Sequence, residues 1–418
     1  MRLLYDLFFI IFAVFYIPVL LLRGKFHKGF MQKFGILPAK VKGIKKCVWI
    51  HAVSVGEAAV AAKLSIELKK KNAGMPIVIS TTTPTGNDMI RKLEKGTTDL
   101  IFYYPFDLSF IIKKVIKLID PAVYVMIETE LWPNALEEFS RKGIPVVLAN
   151  GRISDSSFKN YRKVAAITKR MFKQISVYCM QSEKDAQRVC ALGGVRDRVS
   201  IIGNMKFQED LSFAEKETED AINKDYQIIV AGSTHYPEEH MLIDMYRELK
   251  NTNEKLKLIL VPRHIERKDA IGIYLDKSNL KYSLYSEAGE SLASSDVLLV
   301  DTIGHLKDLY RLATLVYVGG SMVKKGGQNP IEPAIWGKPI IFGPHMYNFR
   351  EVVSIFLENN AAIQVRDENE LKQKIKYLFE SPQDRETLAK NAKQVILKNS
   401  GAVDRTVEKI MKLISGGM

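Results

Sequence analysis

Carboxylates able to move a proton recur at one kind of position in this chain. His51-Ala52-Val53-Ser54-Val55-Gly56-Glu57 closes an apolar run and opens a helical pattern, with Gly56 permitting a tight turn. A carboxylate such as Glu57 can serve there as a general base, because a partly enclosed site raises its pKa towards the working range. It can also simply favour the helix start by its charge. Glu128-Thr129-Glu130-Leu131-Trp132-Pro133-Asn134 places two carboxylates after a second apolar run. Such a pair could bind metal, shift one another's pKa, or cap the helix that Pro133 begins. Ser80-Thr81-Thr82-Thr83-Pro84-Thr85-Gly86 is rich in hydroxyls, and Thr83 and Gly86 could meet a phosphate or a sugar or could cap a helix. Asn150-Gly151-Arg152-Ile153-Ser154 is a further polar turn of this kind.

The second half offers groups suited to a phosphate. Ala231-Gly232-Ser233-Thr234-His235 and Val261-Pro262-Arg263-His264 each follow an apolar run, and a fixed guanidinium at Arg263 matches a phosphate's geometry. Asp301-Thr302-Ile303-Gly304-His305 could turn its amides towards the same ligand. Val318-Gly319-Gly320-Ser321, followed by Gly326-Gly327-Gln328-Asn329-Pro330-Ile331-Glu332-Pro333, is the densest signal. Glycine lets backbone approach a ligand closely, Pro330 suits a first helical turn, and Glu332 could accept from ribose hydroxyls. Gly343-Pro344-His345 and Asn348-Phe349 add one more loop. The chain contains no G-x-x-x-x-G-K-[ST], no G-x-G-x-x-G and no D-x-D, and its histidines lack metal-ligand spacing. A P-loop ATPase, a nicotinamide enzyme and a metal-bound nucleotide sugar therefore have no support, and no cofactor is expected.

These segments need elements to position them. Cys47–Val53, Ile77–Thr81, Leu100–Tyr103, Ala122–Ile127, Val146–Ala149 and Val177–Met180 read as buried strands, alternating with amphipathic stretches such as Glu57–Lys71 and Trp132–Lys142. That alternation predicts an α/β fold with a parallel, doubly wound sheet. The polar stretch Phe207–Asp225 reads as a linker. The alternation then restarts with strands at Gln227–Ala231, Leu256–Val261, Val297–Val300, Leu315–Val318 and Pro339–Phe342, and helices including Glu238–Leu249 and Leu371–Phe379. Two Rossmann-like domains facing a cleft are expected.

The chain has 418 residues, 47% of them hydrophobic, which suits a folded protein rather than a disordered one. Its three cysteines (Cys47, Cys179, Cys190) make neither a disulfide framework nor a structural zinc site. The net charge of +14 asks for an anionic partner. Residues 1–200 carry 32 basic and 16 acidic side chains, whereas residues 201–418 carry 29 and 31, so the excess lies wholly in the first half. Leu7–Leu22 is an uncharged apolar run, followed by Arg23, Lys25, Lys28 and Lys33 and by no small-residue cleavage site. It reads as an uncleaved anchor with the remainder on the cytoplasmic side. Phe158–Lys173 reads as a basic amphipathic stretch, either a solvated helix face or a lipid-phosphate contact.

Taken in order, HAVSVGE, TTTPTG, ETELWPN, NGRIS, GNMKF, STHYPEE, LVPRHIER and GGS…GGQNPIEP resemble the 3-deoxy-D-manno-octulosonic acid (Kdo) transferases of Gram-negative bacteria over nearly the whole chain. The resemblance implies a GT-B fold with an N-terminal membrane-anchor helix, and inverting, metal-independent transfer of Kdo from CMP-Kdo to the lipid A precursor (lipid IVA) at the inner membrane. It implies no nucleic-acid partner. Glu57 would be the general base, with Glu128 and Lys206 stabilising the transition state. CMP would lie against Pro262 and Arg263, against Ile303, Gly304 and His305, and against Asn329, Pro330, Ile331 and Glu332. Ser54, Gly56, Thr83, Gly86, Arg152, Ser233, Gly320 and Ser321 are further candidates from the same motifs. The implied domains are an anchor at 1–24, an acceptor-binding domain at 25–206, a linker at 207–225, a CMP-sugar domain at 226–395, and a C-terminal helix at 396–418 that could pack back on the first domain. Three positions depart from the family pattern: His305 stands where Glu is usual, Gln328 where His is usual, and Gly151 where Ala is commoner. The competing expectations are a GT-B transferase for another nucleotide sugar and a membrane-tethered anionic-lipid-binding protein.

Overall fold

Strands buried on both faces must be apolar throughout, and such strands belong to parallel sheets covered by helices. The computed structural model describes residues 5–7, 9–11, 29–208, 226–288 and 295–416. Its first sheet contains β1 (Cys47–Ala52), β2 (Ile77–Thr81), β3 (Leu100–Tyr103), β4 (Pro121–Ile127), β5 (Val146–Gly151), β6 (Val177–Met180) and β7 (Val199–Ile201). Their order is β3-β2-β1-β4-β5-β6-β7, and every pairing is parallel. All six residues of β1 are buried. The order reverses between β1 and β4, the place where open α/β sheets bind their ligands beyond the strand ends. Glu57 follows β1 and Glu128 follows β4, so both stand at that reversal.

The second sheet repeats the logic with β8 (Gln227–Thr234), β9 (Leu256–Pro262), β10 (Tyr282–Leu284), β11 (Val297–Leu299), β12 (Leu315–Val318), β13 (Ile340–Phe342) and β14 (Ile363–Gln364). Its order is β10-β11-β9-β8-β12-β13-β14, again with parallel pairings, and it reverses between β8 and β12. Thr234 ends one of these strands, and Gly319 and Gly320 follow the other. A Cβ at Gly319 would sit 2.5 Å from the Ser233 carbonyl oxygen, so only glycine lets these two strand ends approach.

Three strands escaped the sequence reading, β7, β10 and β14. All lie at sheet edges and are half exposed, so they lack the continuous apolar run that marks the central strands. Phe158–Lys173 is two helices rather than one, Asp155–Lys163 and Ala165–Lys173, broken at Val164. The Thr168 hydroxyl bridges the break, donating to the Tyr161 carbonyl at 3.2 Å.

The described residues up to 208 and from 399 onward pack as one unit, and those between them as another. The last helix, Ala402–Ser415, buries Ala402, Val403, Val407 and Ile410 among Val48, Ile50, Ala58 and Leu64 of the first unit. Asn399 and Arg405 tie it further, to the amide of Asn204 (2.8 Å) and the carbonyl of Ile202 (2.6 Å).

The linker expected at 207–225 lies outside the described residues after Gln208, and so does most of the expected anchor. What is described of the anchor's start packs on the first unit. Asp6 is buried and accepts from the Ser109 amide at 3.1 Å and the Asn134 side chain at 2.7 Å, while Phe9 meets the Phe106 ring at 5.8 Å. Among the described residues no helix is long and apolar enough to cross a membrane.

Ile410 is fully buried in the first unit's core, so Ile410→Ala should cost about 2–5 kcal/mol of that unit's stability and leave the second unit's transition in place. Denaturant unfolding followed by hydrogen exchange in peptides from each unit checks this.

Candidate functional site

Glu57 begins as a capping residue. Ser54 precedes the helix Val55–Lys71, and its hydroxyl accepts from the Glu57 amide at 3.2 Å. The Glu57 carboxylate returns to accept from the amides of Val53 (2.8 Å) and Ser54 (3.3 Å), completing a capping box. This arrangement holds a carboxylate, 5% exposed, at the end of β1 in one orientation. Each oxygen accepts one bond and a carboxylate can accept about four, so capacity for a substrate hydroxyl remains. Gly56 lies beside Lys206: a Cβ there would be 3.7 Å from its Nζ.

Lys206 and Glu128 form an ion pair of 2.9 Å, with each side chain about one-fifth exposed. Glu128 sits in the left-handed region (φ 58°), which costs a non-glycine residue about 1–2 kcal/mol, so the surroundings must hold it there. Its amide donates to the Ala149 carbonyl at 2.8 Å. Lys206 lies in the short turn Met205–Phe207, which three asparagines shape. The Asn150 side chain accepts from the Met205 amide at 2.9 Å, the Asn204 side chain accepts from the Lys206 amide at 2.9 Å, and Asn399 accepts from Asn204. Asn150 is itself left-handed (φ 53°) at the exit of β5. Thus Glu57, Glu128 and Lys206, spread over 150 residues of chain, converge beyond the ends of β1, β4 and β7.

Glu130 joins this group. Burial, then the charges of Glu57 and Glu128, push its carboxyl up from 4.5 to about 7. Trp132 and Pro133 lead into the helix Pro133–Arg141, whose orphan amides at Asn134 and Ala135 donate to Asp107 at 3.0 and 2.9 Å. Capping here falls to Asp107 rather than to Glu128 or Glu130. His51 is a core residue: it is wholly buried, stacked on Tyr104 at 3.9 Å, and burial pushes its pKa down to about 3. Thr83 caps the helix Pro84–Leu93 by accepting from the Gly86 amide at 3.1 Å, so both residues serve the fold directly. Arg152 is half-buried, and its carbonyl accepts from the Thr129 hydroxyl at 2.6 Å.

In the second unit, Arg263 is exposed beyond β9, with its amide bound to the Thr234 carbonyl at 2.9 Å, and Pro262 is buried behind it. Ile303 is 81% exposed and Gly304 is left-handed (φ 102°). His305 lies tilted against Tyr285, ring centroids 4.7 Å apart, with the Tyr285 hydroxyl 3.3 Å from Nδ1. The Asn329 side chain donates to Glu332 at 3.3 Å and accepts from the Ile331 amide at 3.1 Å. Pro330 and Ile331 are buried, so a ligand would meet their backbone rather than their side chains. The helix that follows, Ile331–Ile335, has only five residues, too few for a substantial helix-end field. Ser233 is left-handed and nearly buried, and Ser321 is wholly buried. The Gly320 and Ser321 amides are bonded to Glu238, a residue the sequence reading had not singled out. Among the described residues, no group of three His, Cys, Asp or Glu could hold a metal ion.

A carboxyl whose pKa is raised on folding favours the folded state fully below its unfolded value and loses that contribution as pH rises through the folded value. For Glu130 the loss should run from about 4.5 to about 7. Glu130→Gln cannot ionise, so its stability relative to the parent should rise across that window. Urea midpoints on either side of it test this, and a pH-independent difference would contradict it.

Residues 28–209 match the family described as 3-Deoxy-D-manno-octulosonic-acid transferase (kdotransferase), and residues 212–395 match Glycosyl transferases group 1. A 3-deoxy-D-manno-octulosonic acid transferase of Haemophilus influenzae is 32% identical over 366 residues, 86% of this chain and 86% of that protein. The solved C-terminal CMP-Kdo binding domain of WaaA from Acinetobacter baumannii is 30% identical and covers 46% of this chain and 99% of its own, with a TM-score of 0.41. UDP-GlcNAc 2-epimerase from Neisseria meningitidis, bound to UDP-GlcNAc, shares the fold at 14% identity and a TM-score of 0.52, covering 87% of this chain and 99% of that one.

Proposed function

The chain belongs to the Kdo transferase family, and from that premise we propose that it moves Kdo from CMP-Kdo to lipid IVA by an inverting, metal-independent reaction. It is a glycosyltransferase built from two parallel-sheet α/β units. The observation that carries the proposal is the Lys206–Glu128 pair, with Lys206 beside Gly56, the residue before Glu57, and both carboxylates following the strands at the reversal of the first sheet.

In the proposed step, an acceptor hydroxyl attacks the anomeric carbon of Kdo from the face opposite CMP. A carbon–oxygen bond forms, the bond to the CMP phosphate oxygen breaks with its electron pair, and the hydroxyl proton passes to Glu57. Lys206, oriented by Glu128, offers a fixed positive charge to the negative charge that develops. Arg263 offers a guanidinium to the departing phosphate. The CMP contacts would be Pro262 and Arg263, the Ile303–His305 turn, and the Asn329–Glu332 segment. At the turn, His305 can contribute through its backbone, since its ring is engaged with Tyr285.

The proposal extends to the membrane. Its support is surface chemistry on the first unit. Leu7, Ile10, Ile11 and Phe110 are exposed apolar side chains. The helices Asp155–Lys163 and Ala165–Lys173 expose Lys159, Arg162, Lys163, Lys169, Arg170 and Lys173 together with Val164 and Ile167. A phosphorylated lipid acceptor and the cytoplasmic face of the inner membrane fit that combination of charge and apolar surface.

Incubating the purified chain with CMP-Kdo and lipid IVA should release CMP and add Kdo to the lipid, read by mass spectrometry. A folded protein giving no product would contradict the proposal. Glutamine can keep a capping box, so Glu57→Gln should fold normally and retain CMP binding, while kcat falls by about 10²–10⁴. Turnover at the parent rate would remove Glu57 from its role.

A further inference from the structure

Glu238 is the first residue of the helix Glu238–Lys250 and is 1% exposed. Among the described residues no ion pair neutralises it; instead its carboxylate is surrounded by donors. Oε2 accepts from the amides of His235 (2.9 Å) and Gly320 (2.7 Å). Oε1 accepts from the amides of Ser321 (3.0 Å) and Met322 (2.9 Å) and from the Tyr317 hydroxyl (2.7 Å). A buried charge is tolerable when hydrogen bonds of this number replace water. The carboxylate therefore joins the exit of β8 to the exit of β12, the two strands at the second sheet's reversal.

The loop beyond hangs on the same residues. The Gly327 amide donates to the Gly320 carbonyl (2.9 Å) and the Gln328 amide to the Gly319 carbonyl (3.1 Å), placing Asn329–Glu332 next in line. The His345 amide donates to the Ser321 carbonyl (2.9 Å), and the Gly343 amide to the Ser321 hydroxyl (2.8 Å). Consecutive amides after a glycine-rich turn ordinarily form a concavity for a ligand anion. Here the protein's own carboxylate fills it.

We propose that Glu238 is the positioning residue of the nucleotide site. Its carboxylate occupies the Gly320–Met322 amides, so a substrate phosphate is held elsewhere, and it sets the backbone from which Asn329–Glu332 is presented to CMP. The nucleotide's identity rests on the transferase reading; the pinning of the loop does not.

The test uses the full chain with Glu238→Gln, which turns one acceptor into an amide donor facing backbone N–H groups, and with Glu238→Asp and Tyr317→Phe as milder changes. Calorimetry with CMP should show affinity at least tenfold weaker in Glu238→Gln and severalfold weaker in Tyr317→Phe. The KM for CMP-Kdo should rise while that for lipid IVA stays put. Faster hydrogen exchange should be confined to peptides covering 318–331 and 343–346, with the first unit unchanged. Parent-like CMP affinity together with parent-like exchange in folded Glu238→Gln would overturn the proposal. If Glu238→Gln does not fold, Tyr317→Phe decides by the same two readouts. If the parent binds no CMP, the donor reading fails, and exchange in 318–331 still decides whether Glu238 pins the loop.

Discussion

A parallel sheet delivers all its strand ends to one edge, and the order of strands decides which ends have room for a ligand. In both sheets of this chain the room opens where the order reverses, between β1 and β4 and between β8 and β12. The chemistry gathers there. In the first unit, Glu57 and Glu128 leave the two strands at the reversal, and Lys206 reaches Glu128 from the far end of the sheet's chain path. In the second, Glu238 ties the corresponding exits through backbone amides. One unit thus uses the reversal to display charged side chains, while the other uses it to fix a backbone.

Local helix chemistry sets the orientation of Glu57, the base of the proposed step. The capping box holds its carboxylate by two amides while the Ser54 hydroxyl accepts from its backbone amide, so the proposed base is oriented by the same bonds that start its helix. The orienting of Lys206 is different in kind. It depends on Asn150, Asn204 and Asn399, and through Asn399 on the chain segment that leads into the last helix. The C-terminal helix therefore bears on the site without contributing a reacting group.

The central strands were readable because they are buried on both faces and so carry unbroken apolar runs, as in Cys47–Ala52 and Ile77–Thr81. Edge strands such as Ile363–Gln364 have water on one side and carry no such run. Glu57 and Glu128 were readable for a related reason, each sitting in a short motif after such an apolar run, whereas Lys206 follows the edge strand β7 and was legible only through the family resemblance of its motif. Asn399 was not, since its partner Asn204 lies 195 positions away and nothing local marks it. Glu238 was hidden for the opposite reason. A Glu at a helix start looks like an ordinary favourable charge, and only the return of β12 beside β8 reveals that its oxygens are spent on another loop. The left-handed backbone at Glu128, Asn150 and Ser233 was equally invisible, because none of these is glycine.

The central claim is that Lys206 and Glu128 act as one unit beside the base. A double-mutant cycle on kcat tests it, using Lys206→Met, Glu128→Gln and both together with CMP-Kdo and lipid IVA as substrates. If the pair works as a unit, the double variant loses no more than the worse single one, as residues of one catalytic group do. Losses that multiply, each residue keeping its full effect without the other, would contradict the account.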